Sequence, residues 1–435
     1  MRGVTDAPAH PAPPAPRLHP GRQWLLMASA GLLAVPAFAL RLDVLDLSLG
    51  AETVLFGLGI LGAAFLLSWA AEVAQLDISQ GLAIAFLAFI AVLPEYAVDL
   101  VFAWKAGVQD AARVGNEMLC GAHETCRQLA IANMTGANRL LIGLGWAVVV
   151  LVWWRRSGNK GIVLPVSRRT ELGFLLLGTL WAFTIVIRGS LSIVDTVLLV
   201  GLFAFYIWHT AREEQEHPEL VGPPVVIAAM GAVRRRLVTL AMFAFATVAI
   251  IASAEPFAHG LVEVAEGAGF SPFLAVQWLA PLASEAPEMI IAVLFVLRAK
   301  PHQGLGALVS SKVNQWTLLV GTLPLAYAIS FGSLSHAMVL DGRQIEEIFL
   351  TAAQSLFAVA VLSNLTISRG EAAGLLVLFL AQLGFESTTI RVGFAFAYLA
   401  LFLVLVLPRP DRRRELLLAI RTALRKPGKA IPAGD

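Results

Sequence analysis

The chain has 435 residues, of which 58% are hydrophobic and 14% are charged, and its formal net charge is only +2. Soluble domains carry about 25% charged residues, so the composition excludes an ordinary soluble domain, and the small net charge indicates no nucleic-acid partner. Many apolar runs reach the roughly 20 residues that cross a lipid bilayer as a helix. The sequence therefore predicts an all-α polytopic membrane protein.

The first segment, residues 1–22, is rich in Pro and Ala, which predicts a disordered tail. An apolar stretch follows at 23–40, and Ala37-Phe38-Ala39 at its end resembles a signal-peptidase site. Cleavage there would leave the new N-terminus on the outer side of the membrane. Without cleavage the same stretch is the first membrane span, and both alternatives stay open.

Hydropathy predicts about twelve spans in two halves. They lie near residues 23–40, 53–74, 81–104, 128–154, 170–187, 190–210, 237–258, 272–297, 305–331, 346–366, 372–385 and 391–408. The first half covers 23–210, a polar linker covers 211–236, the second half covers 237–408, and a basic tail covers 409–435. That tail includes "LLLAIRTALRK", which has the pattern of a basic amphipathic helix.

Basic loops fall on one side of the membrane when the spans alternate from an inside N-terminus. They are residues 155–169, the linker, residues 298–302 and the tail, whereas the loop at 258–270 on the other side is acidic. The positive-inside rule then predicts that both termini are cytoplasmic, in an inner membrane of bacterial type.

The third span contains "IAVLPEYAVDLV", residues 90–101, with a proline and two carboxylates inside an apolar run. Pro94 has no N–H, so the backbone carbonyl of Ile90 loses its helical partner. A freed carbonyl in a membrane needs another partner or a cation. Glu95 supplies a negative charge beside it, and Asp99, four residues later, shares the same helix face. Together these oxygens suit a hard cation.

The eighth span repeats this arrangement in the stretch "LASEAPEMI". Pro287 frees the carbonyl of Ala283, and Glu288 follows the proline directly. Glu285 lies three residues before Glu288, and Ser284 adds a hydroxyl. An isolated Pro-Glu would be more typical of a kink with a paired side chain, but the recurrence in both halves favours a shared cation site.

Each of these spans is followed by a helix with polar residues. The stretches are "NMTGAN", residues 133–138, and "SSKVNQ", residues 310–315. Small residues allow close helix approach, and the amide oxygens of Asn133 and Asn138 can bind a cation. Packing alone is the alternative role. Because the two helix pairs, 81–154 and 272–331, run in opposite directions through the membrane, they predict the inverted repeat of a secondary transporter.

The two helix pairs resemble the α-repeats of the calcium/cation antiporter superfamily, to which sodium/calcium exchangers belong. The family repeat resembles G-T-S-x-P-E on one helix and G-N-x-x-G-S-N-x-x-N on the next. Residues 90–95 with 132–141 match it in the first half, and residues 283–288 with 306–315 match it in the second. The resemblance implies two inverted-topology repeats of about five helices, plus one flanking helix at each end.

The resemblance also implies a function, namely a secondary active antiporter that is not an enzyme and has no cofactor. Its partners would be inorganic cations, with Ca²⁺ or a related ion moving against Na⁺ or H⁺ by alternating access to a midplane site. Glu95 and Glu288 would be the central metal-binding carboxylates. The supporting oxygen ligands would be Asn138, Ser284, Ser311 and Gln315.

Two departures from the family pattern bear on the coupling ion. Ala91 and Val92 replace the hydroxyl residues of the first repeat, and Lys312 replaces the Asn of the second G-S-N. One hypothesis is that the Lys312 ammonium takes the place of a Na⁺, leaving fewer ions per cycle or H⁺ as the coupling ion. The alternative is that Lys312 snorkels to the cytoplasmic interface.

Other functions need features that this sequence lacks or does not favour. A sodium/proton exchanger of the same fold is the nearest alternative. A cation channel would call for a pore-lining ring, and an intramembrane enzyme would need a nucleophile or metal constellation, yet no His falls near the paired motifs. The sequence does not indicate an oligomeric state.

The only two cysteines, Cys120 and Cys126, lie in the predicted outer loop of the first repeat. A disulfide that closes a small loop outside the cytoplasm is the favoured interpretation. A C-x-x-H-x-x-C metal site that includes His123 is the alternative, and it lacks a clear fourth ligand.

Overall fold

The computed structural model describes residues 20–77, 93–112, 120, 124–212, 220, 222–385 and 387–425. Most of the Pro-rich tail, the first part of the third predicted span with Ile90, and His123 lie outside these residues. Fourteen helices are found in the described chain. They are α1 (Pro20–Arg41), α2 (Leu49–Ala74), α3 (Leu93–Ala111), α4 (Cys126–Ser157), α5 (Arg169–Arg188), α6 (Ile193–Thr210), α7 (Pro224–Ala228), α8 (Ala232–Gly267), α9 (Pro272–Leu297), α10 (301–331), α11 (Gly342–Leu362), α12 (Arg369–Gln382), α13 (Thr388–Val406) and α14 (Pro410–Leu424).

Nine helices of the described chain are long and apolar enough to cross a membrane, namely α1, α2, α4, α5, α6, α8, α9, α11 and α13. The other three predicted spans correspond to α3, which follows the undescribed residues 78–92, to α10, and to α12. Helix α12 has 14 residues, fewer than a full crossing needs.

Within the predicted linker 211–236, the structure has the short helix α7, and helix α8 begins at Ala232. Helix α8 has 36 residues, which at 1.5 Å per residue is about 54 Å and exceeds the roughly 30 Å hydrocarbon core. The helix is therefore longer than a perpendicular crossing needs, and the three arginines of residues 234–236 lie in its first turns.

Local sequence signals set the helix ends. Helix α5 stops at Gly189, whose left-handed backbone (φ +64°) ends the helix without the penalty that a Cβ would bring. Helix α6 then begins after Ser192, whose backbone N–H is bonded by Asp195 in a capping box. The chain thus reverses direction within a few residues, which places α5 and α6 side by side.

The two halves pack crosswise. Helix α3 packs against α4 and helix α9 against α10 within the repeats, while α9 also packs on α4 and the last part of α10 on α3. Short antiparallel strand pairs join the halves in the same symmetric way. Strand β1 (Gly161–Val163) pairs with β4 (Thr366–Ser368), and β2 (Ser190–Leu191) pairs with β3 (Met338–Val339). The polar helix of each repeat therefore faces the proline-containing helix of the other.

An ion cluster joins the end of α2 to the start of α8. Asp77 accepts two hydrogen bonds of 2.7 Å from Arg235 and one of 2.9 Å from Arg236. These guanidinium groups hold the pKa of Asp77 at about 2, below its ordinary value of 3.8. Because Arg235 and Arg236 belong to the basic linker side, the cluster lies at the membrane face that carries the basic loops.

Candidate cation site

Four carboxylates from the two repeats come together between α3 and α9. Glu95, the residue after Pro94, is close enough to Glu285, Glu288 and Asp99 to interact electrostatically with all three. Glu95, Asp99 and Glu285 are buried, and Glu288 is partly buried. Like charges so placed in an apolar interior repel strongly, so this arrangement requires cations, protons or donor groups.

Gln315 of α10 is one such donor, and it links the repeats. Its amide Nε2 donates to Glu95 Oε2 over 3.0 Å and also to Glu285 Oε1. One side chain of the second repeat therefore bonds a carboxylate from each half. Gln315 is also the first residue of a π-helical segment, Gln315–Leu319, that interrupts α10.

Asp99 has its partner in the first repeat. The Asn133 amide Nδ2 of α4 donates to Asp99 Oδ1 over 2.8 Å, and both side chains are buried. The predicted roles of Asp99 and Asn133 thus involve one connected pair. Helix α4 can approach α9 closely because Gly136 has no Cβ. A Cβ at this position would overlap the backbone oxygen of Gln277 in α9.

Several buried oxygens around these pairs have no hydrogen-bond partner in the part of the chain that is described. They are Asp99 Oδ2, Asn133 Oδ1, Glu285 Oε2, Glu288 Oε1 and Gln315 Oε1. Buried oxygens normally have a partner, and Ca²⁺ takes 6–8 oxygen ligands. The donor set therefore fits a hard cation. Among the described residues, no three His, Cys, Asp or Glu side chains converge on one point as a ready-made metal site, so amide, hydroxyl and backbone oxygens would have to contribute.

The two predicted serine ligands lie beside these carboxylates. Ser284 donates to the carbonyls of Ala280 (3.4 Å) and Pro281 (3.3 Å) in its own helix, which leaves the hydroxyl lone pairs available. Ser311 neighbours Glu288 across the α9–α10 contact. The carbonyl of Ala283 belongs to the same turn of α9, which contains Pro287.

Lys312 points into the protein and is fully buried. Its ammonium donates to the side-chain oxygen of Asn138 over 2.6 Å and to the Asn138 carbonyl over 3.2 Å, and it lies 4.6 Å from the centroid of the Trp316 ring. The snorkelling alternative is therefore wrong, because these partners solvate the charge inside the helix bundle. The Asn138 amide oxygen accordingly holds an ammonium in this conformation.

Asn138 and Lys312 occupy equivalent positions of the two repeat motifs, so their contact lies where the two halves meet symmetrically. Both polar helices also change to π-helix at equivalent residues, Leu141–Trp146 in α4 and Gln315–Leu319 in α10. π-Helical turns are rare and occur mostly at functional sites. Residue patterns did not predict them, because a π turn depends on the neighbours that its freed carbonyls meet.

A second buried charge network lies next to Asn138, and sequence reasoning missed it. Arg139 Nη2 is 2.6 Å from Glu347 Oε2, Arg391 pairs with Glu347, and Arg391 Nε is 3.2 Å from Glu346 Oε1. Gln277 also donates to Glu347 over 2.8 Å. Arg139 and Arg391 balance the two glutamates, and Arg343 lies over the same Phe273 ring as Arg391. Four ionisable residues within predicted spans were the available signal.

Cys126 begins α4 and Cys120 lies six residues before it, and their sulfurs are joined in a disulfide with a Cα–Cα distance of 5.0 Å. Cys126 is the first residue of the helix, and Thr125 caps it together with Gln128. The disulfide therefore tethers the end of α4 that leads to the polar turn at Asn133.

Comparison with known proteins gives concordant matches. A family model described as "Sodium/calcium exchanger protein" matches residues 48–211 and 238–407. A crystal structure of the H⁺/Ca²⁺ exchanger CAX is 42% identical and superposes with a TM-score of 0.85, covering 93% of this chain and 98% of that one. No curated protein matched the chain.

Two more distant solved structures share the fold. The structure of native YfkE is 15% identical, with a TM-score of 0.59, and covers 86% of this chain and 99% of that one. A structure of the sodium-calcium exchanger NCX_Mj is 16% identical, with a TM-score of 0.51, and covers 78% of this chain and 99% of that one.

Proposed function

The chain belongs to the sodium/calcium exchanger protein family, and on that premise we propose that it moves Ca²⁺ across the membrane in exchange for protons. It is an integral membrane protein and a cation antiporter, not an enzyme. Alternating access would open the carboxylate cluster first to one side of the membrane and then to the other. The similarity to an H⁺/Ca²⁺ exchanger over 93% of the chain supports this choice of ions.

The observation that carries the proposal is the buried Lys312 ammonium beside the carboxylates. It is a permanent part of the chain, and it already occupies the equivalent of a cation position through its bonds to Asn138. Four ionised carboxylates and one ammonium would leave a formal charge of −3. An interior of low dielectric does not tolerate such a charge, since each unpaired ion costs several kcal/mol.

If the cluster must be electrically neutral in each loaded state, its charge suggests which ions are exchanged and in what ratio. One Ca²⁺ and one proton balance the cluster, and three protons balance it equally well. A cycle between these two loaded states exchanges about two protons for each Ca²⁺ and moves little net charge. Without the lysine, a further cation such as Na⁺ would be needed in its position.

The proposed site residues contribute different kinds of oxygen. Glu95 and Glu288 would be the central ligands, and Gln315 would bind through Oε1 after its amide turns over from the orientation that donates to Glu95. The remaining proposed contributors are Asp99, Glu285, Asn133, Asn138, Ser284 and Ser311 with the carbonyls of Ile90 and Ala283, of which Ile90 lies outside the described residues.

We further propose that both termini are cytoplasmic, in a bacterial-type inner membrane, and that each half of the chain forms one repeat-bearing unit. The basic loops support this orientation, since all of them fall on one side.

The direct test is radiolabelled Ca²⁺ uptake by the purified chain in proteoliposomes, under a pH gradient and separately under a Na⁺ gradient. We expect uptake with the pH gradient alone and loss of uptake in Glu95→Gln and in Glu288→Gln. The matched control is Glu255→Gln, which removes an exposed carboxylate that pairs with Lys105. Uptake that follows only the Na⁺ gradient would replace the proton with Na⁺, and no gradient-driven flux would refute the antiporter itself.

The role of Lys312 is tested by Lys312→Asn in the same vesicles. We expect Na⁺ to occupy the vacated position, so that Ca²⁺ uptake becomes sensitive to Na⁺ while net charge movement stays small. Ca²⁺ uptake that stays insensitive to Na⁺ would remove the idea that the ammonium substitutes for a cation.

A further inference from the structure

The C-terminal helix α14 is docked on the transmembrane bundle by one narrow face. Its buried residues, Arg412, Leu416, Ala419 and Ala423, follow a helical spacing of three and four. Ala419 and Ala423 lie directly on Gly173 of α5, where a Cβ would overlap the Ala419 carbonyl oxygen. Small residues thus bring α14 into close contact with the first turns of α5.

Polar contacts hold the same face in place. Arg412 donates to the carbonyls of Ala360 (2.6 Å) and Val361 (2.7 Å) at the end of α11. Arg169 at the start of α5 lies 2.7 Å from Glu415. Since α14 follows α13 after only three residues and spans from the end of α11 to the start of α5, it lies across the helix ends at one membrane face.

The opposite face of α14 combines apolar and basic residues. Leu417 and Leu424 are 59% and 58% exposed, and they project from one side of the helix because they are seven residues apart. Three exposed arginines, Arg413, Arg414 and Arg421, lie next to them around the helix, and exposed Arg425 follows its last residue. The two acidic residues of α14 lie beside this face, since Glu415 bonds to Arg169 and Asp411 is exposed in the first turn next to the arginines.

An in-plane helix with this surface matches a lipid interface. Leucines reach the acyl boundary while neighbouring arginines meet phosphate groups, and each basic residue near an anionic surface strengthens the attraction. A soluble protein partner would not explain why the arginines and leucines share a helix that lies at the ends of membrane spans.

We propose that the exposed face of α14 binds the anionic headgroups of the adjacent leaflet and so clamps helix α5 at the membrane surface. One further contact connects helix α5 to the neighbourhood of the cation site. Glu171, two residues after Arg169, accepts a 2.8 Å hydrogen bond from Ser310, which directly precedes Ser311. Lipid binding therefore stabilises the helix that supports the polar turn of α10.

The first experiment measures thermal unfolding of the full chain in detergent with added phosphatidylglycerol or phosphatidylcholine. We expect phosphatidylglycerol to raise the melting temperature and added salt to reduce that rise. The variant R413Q/R414Q/R421Q/R425Q is expected to lose at least half of the rise. The matched control is R155Q/R156Q, which removes two exposed arginines at the end of α4.

A second measurement does not depend on stability or transport. Because Cys120 and Cys126 are joined to each other, Leu417→Cys carries a single free thiol for an environment-sensitive fluorophore. We expect a blue-shifted emission in phosphatidylglycerol-containing bilayers, with quenching by acyl-chain spin labels.

Three outcomes would overturn the proposal. They are an unchanged phosphatidylglycerol response in the α14 variant, an equal loss in R155Q/R156Q, and a fluorophore that stays in water. A change in oligomeric mass without any change in lipid response would instead assign the face to a second copy of the chain.

Discussion

Neutralising Glu347 is expected to destabilise the protein more than any exposed charge change. The Glu347 side chain is fully buried and pairs with both Arg139 and Arg391. In Glu347→Gln the two buried arginines share the single carboxylate of Glu346. Breaking a buried ion pair from one side costs about 3–5 kcal/mol, and the glutamine oxygen retains one acceptor, so we expect a loss of about 3 kcal/mol in the free energy of unfolding.

The assay is reversible unfolding of the full chain in mixed micelles, followed by tryptophan fluorescence. Glu371→Gln serves as the control, because Glu371 makes a 3.0 Å ion pair with Arg412 and its side chain is 26% exposed. A partly solvated pair contributes about 1 kcal/mol or less. The two variants therefore compare the same chemical change in a buried and in a more exposed site.

The double variant Arg139→Met/Glu347→Gln restores charge balance, since Arg391 and Glu346 remain as one pair. We expect it to recover more than half of the loss caused by Glu347→Gln alone. A loss below about 1 kcal/mol for Glu347→Gln, or simple addition of the two single effects, would refute the view that charge balance holds this network together.

Three further predictions concern packing, pH and one hydrogen bond. Gly136→Ala is expected to lower the free energy of unfolding by about 3 kcal/mol, because the added Cβ would overlap the rigid backbone of Gln277. Chemical unfolding measures this free energy. Asp77→Asn is expected to lower the free energy of unfolding by about 1 kcal/mol at neutral pH, a value reduced for solvent screening. The folded pKa of Asp77 is about 2 and its ordinary value is 3.8. The difference in unfolding free energy between the variant and the unaltered chain therefore persists above about pH 4 and vanishes as the pH falls to about 2. Tyr327→Phe removes a 2.6 Å hydrogen bond to an aspartate and is expected to lose about 1 kcal/mol in the same unfolding assay.

Each of these predictions has a control variant or a result that would contradict it. Gly374→Ala adds the same methyl group where a Cβ would meet nothing within 4 Å, and a comparable loss there would contradict the steric explanation. A pH-independent difference for Asp77→Asn would show that the aspartate does not act through its charge. For Tyr327, the control is Tyr398→Phe, which removes a buried hydroxyl that has no hydrogen-bond partner among the described residues; an equal loss there would contradict the hydrogen-bond explanation.

The proline–glutamate pairs allowed two of the four clustered carboxylates of the candidate site to be singled out from the sequence. Pro94-Glu95 and Pro287-Glu288 were recognisable because prolines and carboxylates are costly within apolar spans and recur at equivalent positions. The structure brings Glu95 near Glu288 through crosswise packing of the repeats. The partners of these carboxylates were harder to predict, since Gln315 reaches Glu95 from 220 residues away along the chain.

The sequence alone determined the membrane class, the two inverted halves and the positions of the main carboxylates, because hydropathy and proline placement are properties of single segments. Only the tertiary structure decided between the alternatives for Lys312, since its burial depends on meeting Asn138 from the other half. The balance between Arg139 and Glu347 was likewise decided by packing, as were the faces of the C-terminal helix. Charge solvation inside a membrane depends on neighbours that are distant in sequence, and local patterns do not contain that information.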